Sequence, residues 1–257
     1  MARNFNGSSD LISISGGFAA NANAVTFTAW FNTSSATSFI DILSNSSSGD
    51  SSNTFSLLQV NSGGVGAVAF NWRDPSGVNA VASTGSTANN GAWHHATGVQ
   101  TSLSNRVVYL DGIAGTADTT TVAPMAGAID TTRIGCVTRA GASVGFFPGS
   151  IADAACWNAA LSQAEIRALV NGARPRAIRP GSLLGWWPLD GYRHPALDLS
   201  FGAHNGVLGG SPSLVPGPPL ISSAPLFPGV PVPEAFRVVP RISVSFQRWQ
   251  QILMTGP

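Results

Sequence analysis

The chain has 257 residues, 44% of them hydrophobic and only 10% charged, with a formal net charge of +1. That length accommodates one large β domain or two ordinary ones, and the apolar fraction is sufficient for a real core. The near-neutral balance provides no electrostatic case for nucleic acid or an acidic membrane surface as a partner.

The first element follows Phe5-Asn6-Gly7-Ser8-Ser9-Asp10, where residues 11–14 read as a short strand. Residues 24–32 alternate cleanly, with Val25, Phe27, Ala29 and Phe31 on one face and Thr26, Thr28, Trp30 and Asn32 on the other. A period of two means a strand, and Trp30 on the polar side means a strand covered on both faces. Ser-rich loops then separate strands at 39–44, 54–60, 67–72, 78–83, 93–100 and 106–110. Asp74-Pro75-Ser76-Gly77 is a type I turn and Asp111-Gly112 a hairpin turn. Strands at 113–119 and 132–138 follow. Many short strands with a turn signal every dozen residues or fewer predict a sandwich or jelly roll.

Residues 147–172 begin as a strand, in which Gly149 and Asp153 interrupt an otherwise apolar run, and end as one short helix. Ser162 and Glu165 form a capping box ahead of it, and Gly172 ends it in a left-handed conformation. An Arg-rich connector, 173–180, carries two prolines that forbid helix continuation. Residues 183–191 form a final apolar strand, followed by Asp198-Leu199-Ser200 and Asn205-Gly206. Residues 212–233 are proline-dense and read as extended chain without a core of their own. Beyond them Phe236, Val238, Ile242, Val244 and Phe246 alternate with polar residues, and Pro240 marks an edge or paired-arm strand.

Two cysteines do not make a disulfide framework. A hairpin across 139–146 would place Cys136 near residues 147–150 and Cys156 out of reach, so both are expected as free, buried thiols. Residues 1–5 lack the apolar run of a signal peptide, and no stretch approaches the ~20 apolar residues of a membrane span. Catalysis by paired carboxylates needs two acids on one face. Glu occurs only at Glu165 and Glu234, while Asp50, Asp74, Asp111 and Asp130 sit in turns, so no enzyme is expected. His94 and His95 point to opposite faces of a strand and cannot share a metal.

Several blocks carry a resemblance. Gly149, Ile151, Asp153, Cys156, Trp157, Leu161, Ser162, Glu165 and Ile166 follow in order the closing pattern of laminin-G-like domains, of the concanavalin A-like class. The opening at 5–10, the Trp93-His94-His95-Ala96 strand and the Val108-Tyr109-Leu110-Asp111-Gly112 hairpin resemble the same family. The Trp187-Pro188-Leu189 … Asp198-Leu199-Ser200 … Asn205-Gly206 ending resembles phage-encoded members. The resemblance implies an all-β, concanavalin A-like jelly-roll sandwich of two antiparallel sheets with one short helix over residues 1–211. Residues 212–257 are expected as an extended C-terminal arm. It implies a non-enzymatic virion protein, made in the host cytoplasm, that decorates a capsid or sits on a tail. Phe236, Val238, Ile242, Val244, Phe246, Trp249, Ile252 and Leu253 would dock the arm on the major capsid protein, another virion subunit or a neighbouring copy. The alternative is a carbohydrate-binding module of a bacterial or phage adhesion protein. It would contact a host-surface glycan through Trp72, Asp74, Asn45 and Asp50, with Ca²⁺ held by loop oxygens as the only cofactor the class suggests.

Overall fold

The computed structural model describes residues 1–17, 23–49, 54–125, 129–191 and 195–219. All belong to one compact unit, Met1–Ser222. The expected docking segment, Phe236 to Leu253, lies outside the described residues. In chain order the strands are β1 (Ala2–Asn6), β2 (Leu11–Ser15), β3 (Val25–Asn32), β4 (Ile40–Ser46), β5 (Phe55–Val60), β6 (Val68–Arg73), β7 (Asn79–Ser83) and β8 (Trp93–Ser102). They continue as β9 (Asn105–Leu110), β10 (Ile113–Ala114), β11 (Thr131–Ile134), β12 (Val137–Arg139), β13 (Ala142–Val144) and β14 (Pro148–Trp157). Helix α1 (Gln163–Val170) precedes β15 (Leu183–Trp187), β16 (Val207–Gly209) and β17 (Ser213–Val215).

Two antiparallel sheets face each other. The first runs β10-β9-β8-β3-β14-β1-β17, with β15 also on β14; the second runs β16-β2-β11-β4-β5-β6-β7. Alternation decides what lies between them. Phe27, Ala29 and Phe31 of β3 meet Phe70, Val68 and Trp72 of β6 in one continuous core, with the Phe27 and Phe70 rings edge-on at 5.6 Å. Gly98 of β8 is required here, because a Cβ at that position would lie 2.2 Å from the Phe70 ring.

The long strand β14 serves two partners on one edge. Its first half pairs with β1, from Pro148 to Ile151, and its second half with β15, from Ala154 to Trp157. Between them the register against β3 slips by one residue: Ala152 pairs with Trp30 and Ala155 with Thr28. This is a β-bulge. Without it, alternation from the buried Ile151 would drive Asp153 into the core. With it, Ile151, Ala154 and Cys156 all face inward, while Ala155 and Trp157 face outward. Asp153 takes the extra position, with φ of 47°.

The capping box forms as expected. Ser162 Oγ accepts from the Glu165 amide at 3.4 Å, and Glu165 Oε2 accepts from the Ser162 amide at 2.7 Å. Gly172 has φ of 91°. Arg179 adds a two-pronged contact to the Glu165 carboxylate, Nε to Oε1 at 2.6 Å and Nη2 to Oε2 at 2.9 Å. The Arg-rich connector is not plain coil: Pro175 and Pro180 each start a short 3₁₀ turn, a position where the missing N–H is harmless. Asp198 folds the following loop. Its carboxylate accepts from the amides of Trp186, Ser200 and His204, each within 2.9 Å.

Three expectations change. Residues 132–138 are not one strand, because Gly135 at φ of 84° turns the chain; β11 stays in the second sheet and β12 folds onto β13 as a separate hairpin. β11 and β14 therefore sit in opposite sheets and form no hairpin. The fold also runs past residue 211, since β17 pairs with β1 at the sheet edge. Both cysteines are free and buried.

Candidate functional site

The outward face of the first sheet is covered in part. Ile166 and Leu169 of α1, three residues apart and so on one helix face, pack on Val99, Trp157 and Trp186. Beyond the end of α1 this cover stops. A cavity of about 170 Å³ opens there, lined among others by Trp30, His95, Asp153, Arg174, Trp186 and Asp190. Trp30 comes from β3, His95 from β8, Asp153 from the bulge and Trp186 from β15. Arg174 follows α1, and Asp190 follows β15.

Asp153 is the best-defined polar group. The Trp186 indole Nε1 donates to its Oδ1 at 3.0 Å, and its amide donates to the Pro188 carbonyl at 3.1 Å. Among the described residues its second oxygen, Oδ2, has no protein donor. Burial pushes its pKa above the ordinary carboxylate range, and the neighbouring Asp190 pushes the same way, against the Trp186 hydrogen bond. A bulged, left-handed residue with a perturbed carboxyl in a cleft combines two marks of functional sites.

The walls combine aromatic rings with charges of both signs. The Trp30 ring meets His95 edge-on, with centroids 5.2 Å apart. Burial lowers the His95 pKa to about 4, against the pull of Asp111, so the ring is neutral at neutral pH. The chemistry offered is an indole wall, a neutral imidazole, carboxylate acceptors, one guanidinium and the Met1 amino group. That set suits a molecule with an apolar ring face and a rim of hydroxyl donors.

The residues singled out by sequence do not form this site. Asn45 and Trp72 each pair with Ser56, on β4 and β6, and all three face inward. Trp72 is 1% exposed and sits in the core, so it presents no ring to solvent. Asn45 Oδ1 accepts from Thr132 Oγ1 at 2.6 Å inside the sandwich. Asp74 is buried at its turn: Oδ1 accepts from the Val78 amide and the Ser76 hydroxyl, and Oδ2 from the Ala123 amide. Burial alone would raise its pKa, but these donors outweigh it and hold the carboxylate below its usual range. Neither Asn45 nor Asp74 has an oxygen facing solvent for Ca²⁺ or a sugar, and Asp50 lies outside the described residues. Among the described residues no group of three or more His, Cys, Asp or Glu side chains is placed to hold a metal. The pattern did mark Trp30, an indole on a polar face, and Asp153, an acid within an apolar run. What it could not show is that a bulge brings them together.

A two-sheet sandwich with an aromatic-walled polar cavity is a lectin-type architecture. The chain belongs to the concanavalin A-like lectin/glucanases superfamily, whose model matches residues 6–167. Among solved structures, the NanB sialidase from Streptococcus pneumoniae is similar with 20% identity and a TM-score of 0.52. The match covers 65% of this chain and 27% of the sialidase, so the chain spans about a quarter of that protein's length. A Bacteroides ovatus protein described as carbohydrate-binding matches with 14% identity and a TM-score of 0.61, over 82% of this chain and 60% of that one. The Ruminococcus gnavus IT-sialidase CBM40, bound to α2,3-sialyllactose, matches with 13% identity and a TM-score of 0.54, over 66% of this chain and 96% of that one. At these identities the likeness is one of fold. No curated protein sequence matches the chain.

Proposed function

We propose that this domain is a carbohydrate-binding module that holds a neutral glycan in the outer-face cavity and performs no chemistry on it. The observation that carries this reading is the bulge at Asp153. It turns a partly buried carboxyl, braced by one indole, toward a cavity that a second indole also lines. A pyranose ring would stack on Trp30 and donate hydroxyls to Asp153 and Asp190. One structural neighbour is bound to sialyllactose. Here Asp153 and Asp190 line the cavity together with the Arg174 guanidinium and the Met1 amino group, so the lining carries no net positive charge to draw an acidic sugar, which favours a neutral one. Binding rather than hydrolysis is the reading because Asp153 already accepts the Trp186 hydrogen bond and is locked on the bulge.

Calorimetric titration of the full chain with neutral oligosaccharides and with sialyllactose tests this. Neutral glycans should bind, and Trp30→Ala should weaken them about tenfold, the equivalent of ~1.4 kcal/mol. Binding of sialyllactose alone, or binding unaffected by Trp30→Ala, would overturn it.

A second reading places the module on a virion, as a capsid-decorating or tail-associated protein. It is supported by the resemblance of residues 183–206 to phage-encoded members; the described parts of that segment join the fold through β15 and the Asp198 loop. Mass spectrometry of purified particles tests it: the chain should be present in stoichiometric amount, and its absence would remove this reading.

A further inference from the structure

Next to the polar cavity lies a second one, of about 240 Å³, lined mostly by Pro188, Leu189, Pro195, Ala196, Leu197 and Leu199. Pro188, Asp190 and Leu199 line both cavities, so the two lobes adjoin at these three residues. Two features of the apolar lobe stand out. Leu197 and Leu199 remain 49% and 37% exposed, which leaves aliphatic surface in water. Leu189, in the shared wall between Pro188 and Asp190, has φ of 62°. A left-handed backbone is unusual for a bulky residue, and strain of this kind persists where the surroundings impose it, often at ligand clamps.

We propose that the two adjoining lobes together take one amphipathic ligand, a neutral saccharide bearing a short alkyl or acyl substituent. The sugar sits in the lobe of Trp30 and Asp153, and the hydrocarbon lies along Leu197 and Leu199. This rests on the glycan-binding reading and adds the chemical class of the ligand to it. An unsubstituted sugar would fill the polar lobe and leave both leucines wet. The apolar lobe carries one cation, Arg3, and one anion, Asp190, and so has no net positive charge to draw a free fatty acid. A glycoside with a short chain satisfies both lobes at once.

The test is calorimetry on the full chain with methyl, n-butyl and n-hexyl β-glucosides and β-galactosides. Each fully buried methylene is worth roughly a fourfold gain in affinity, so even partial burial should give at least ~10-fold from methyl to hexyl. Leu197→Asn, a change at an exposed side chain that the fold tolerates, should cut the hexyl-to-methyl ratio to below about threefold. Leu199→Asn should do the same. Trp30→Ala should weaken every member of the series by a similar factor and leave the ratio intact. If methyl glycosides bind and the series is flat, or the hexyl gain survives both leucine changes, the amphipathic ligand is refuted and glycan binding stands. If no glycoside or oligosaccharide binds, both fall together.

Discussion

Asp153→Asn separates the structural role of this residue from its functional one. Asparagine has the same shape, enters the left-handed region as readily as aspartate, and can still accept from the Trp186 indole through Oδ1. The bulge and its brace should survive. What is lost is the charge. The folded carboxyl has its pKa raised above the ordinary value of 3.8, with burial as the main cause. For a group shifted in this direction, the stabilising contribution is complete below the unfolded pKa and is lost as pH rises through the folded one. As pH rises the wild type therefore bears the cost of ionising a partly buried carboxyl, a cost that asparagine does not carry. The variant should be at least as stable as the wild type at pH 7, and any advantage should vanish below about pH 4. Affinity should move the other way. Hydrogen bonds to charged groups contribute about 1.5–3 kcal/mol against about 0.5–1.5 for neutral ones. Losing one charged acceptor should thus weaken a neutral glycan by ~1 kcal/mol, about fivefold. Thermal melts at pH 7 and pH 4 with calorimetry on the same samples decide it. A variant that is markedly less stable but binds as well as the wild type would make Asp153 a brace for Trp186 and nothing more.

Four further outcomes are expected. The Glu165 pKa is held near 2, chiefly by the Arg179 hydrogen bonds, against an ordinary 4.5. The wild type should therefore lose stability relative to Glu165→Gln as pH falls from about 4.5 toward 2, and parallel melting curves across that range would contradict this. Arg106 is fully buried and paired with Asp118; Asp118→Ala leaves an uncompensated guanidinium and should cost about 3 kcal/mol in denaturant unfolding, whereas a loss under ~1 kcal/mol would show that the Leu103 and Thr120 carbonyls suffice. Burial raises the Cys136 pKa to about 12 and pushes Cys156 up as well, so neither thiol should react with Ellman's reagent until the protein unfolds, and rapid labelling of the native protein would count against the buried placement. Purified protein should release no reducing sugar from β-glucans; turnover that depends on Asp153 or Asp190 would convert the binding site into an active site.

Much of the fold was legible because its signals are local. The alternation of Val25 to Asn32, the Asp111-Gly112 turn and the Ser162–Glu165 box each specify an element from a few neighbouring residues. The short strands β16 and β17 were not legible, since three-residue edge strands owe their conformation to a partner far along the chain. The site was the least legible part. Trp72 and Asp74 look like ligand groups in a loop-rich sequence, yet one fills the core and the other ties a turn. Asp153 reads as an interruption of a strand, and its use depends on a one-residue slip that becomes visible only when β1, β3 and β15 are laid alongside β14. A bulge of this kind depends on strands brought together from distant parts of the chain, which periodicity does not encode.

Binding of a neutral glycan at the outer-face cavity can be read directly from the tryptophan indole N–H resonances in a ¹H–¹⁵N spectrum. The chain has seven tryptophans. Trp72, Trp157 and Trp187 are buried and serve as internal controls, while Trp30 and Trp186 line the cavity. On titration with neutral oligosaccharide the Trp30 and Trp186 signals should move together and saturate, with the three buried indoles unchanged. Saturable shifts at Trp93 with Trp30 and Trp186 still, or no shift at any indole, would contradict glycan binding at this site.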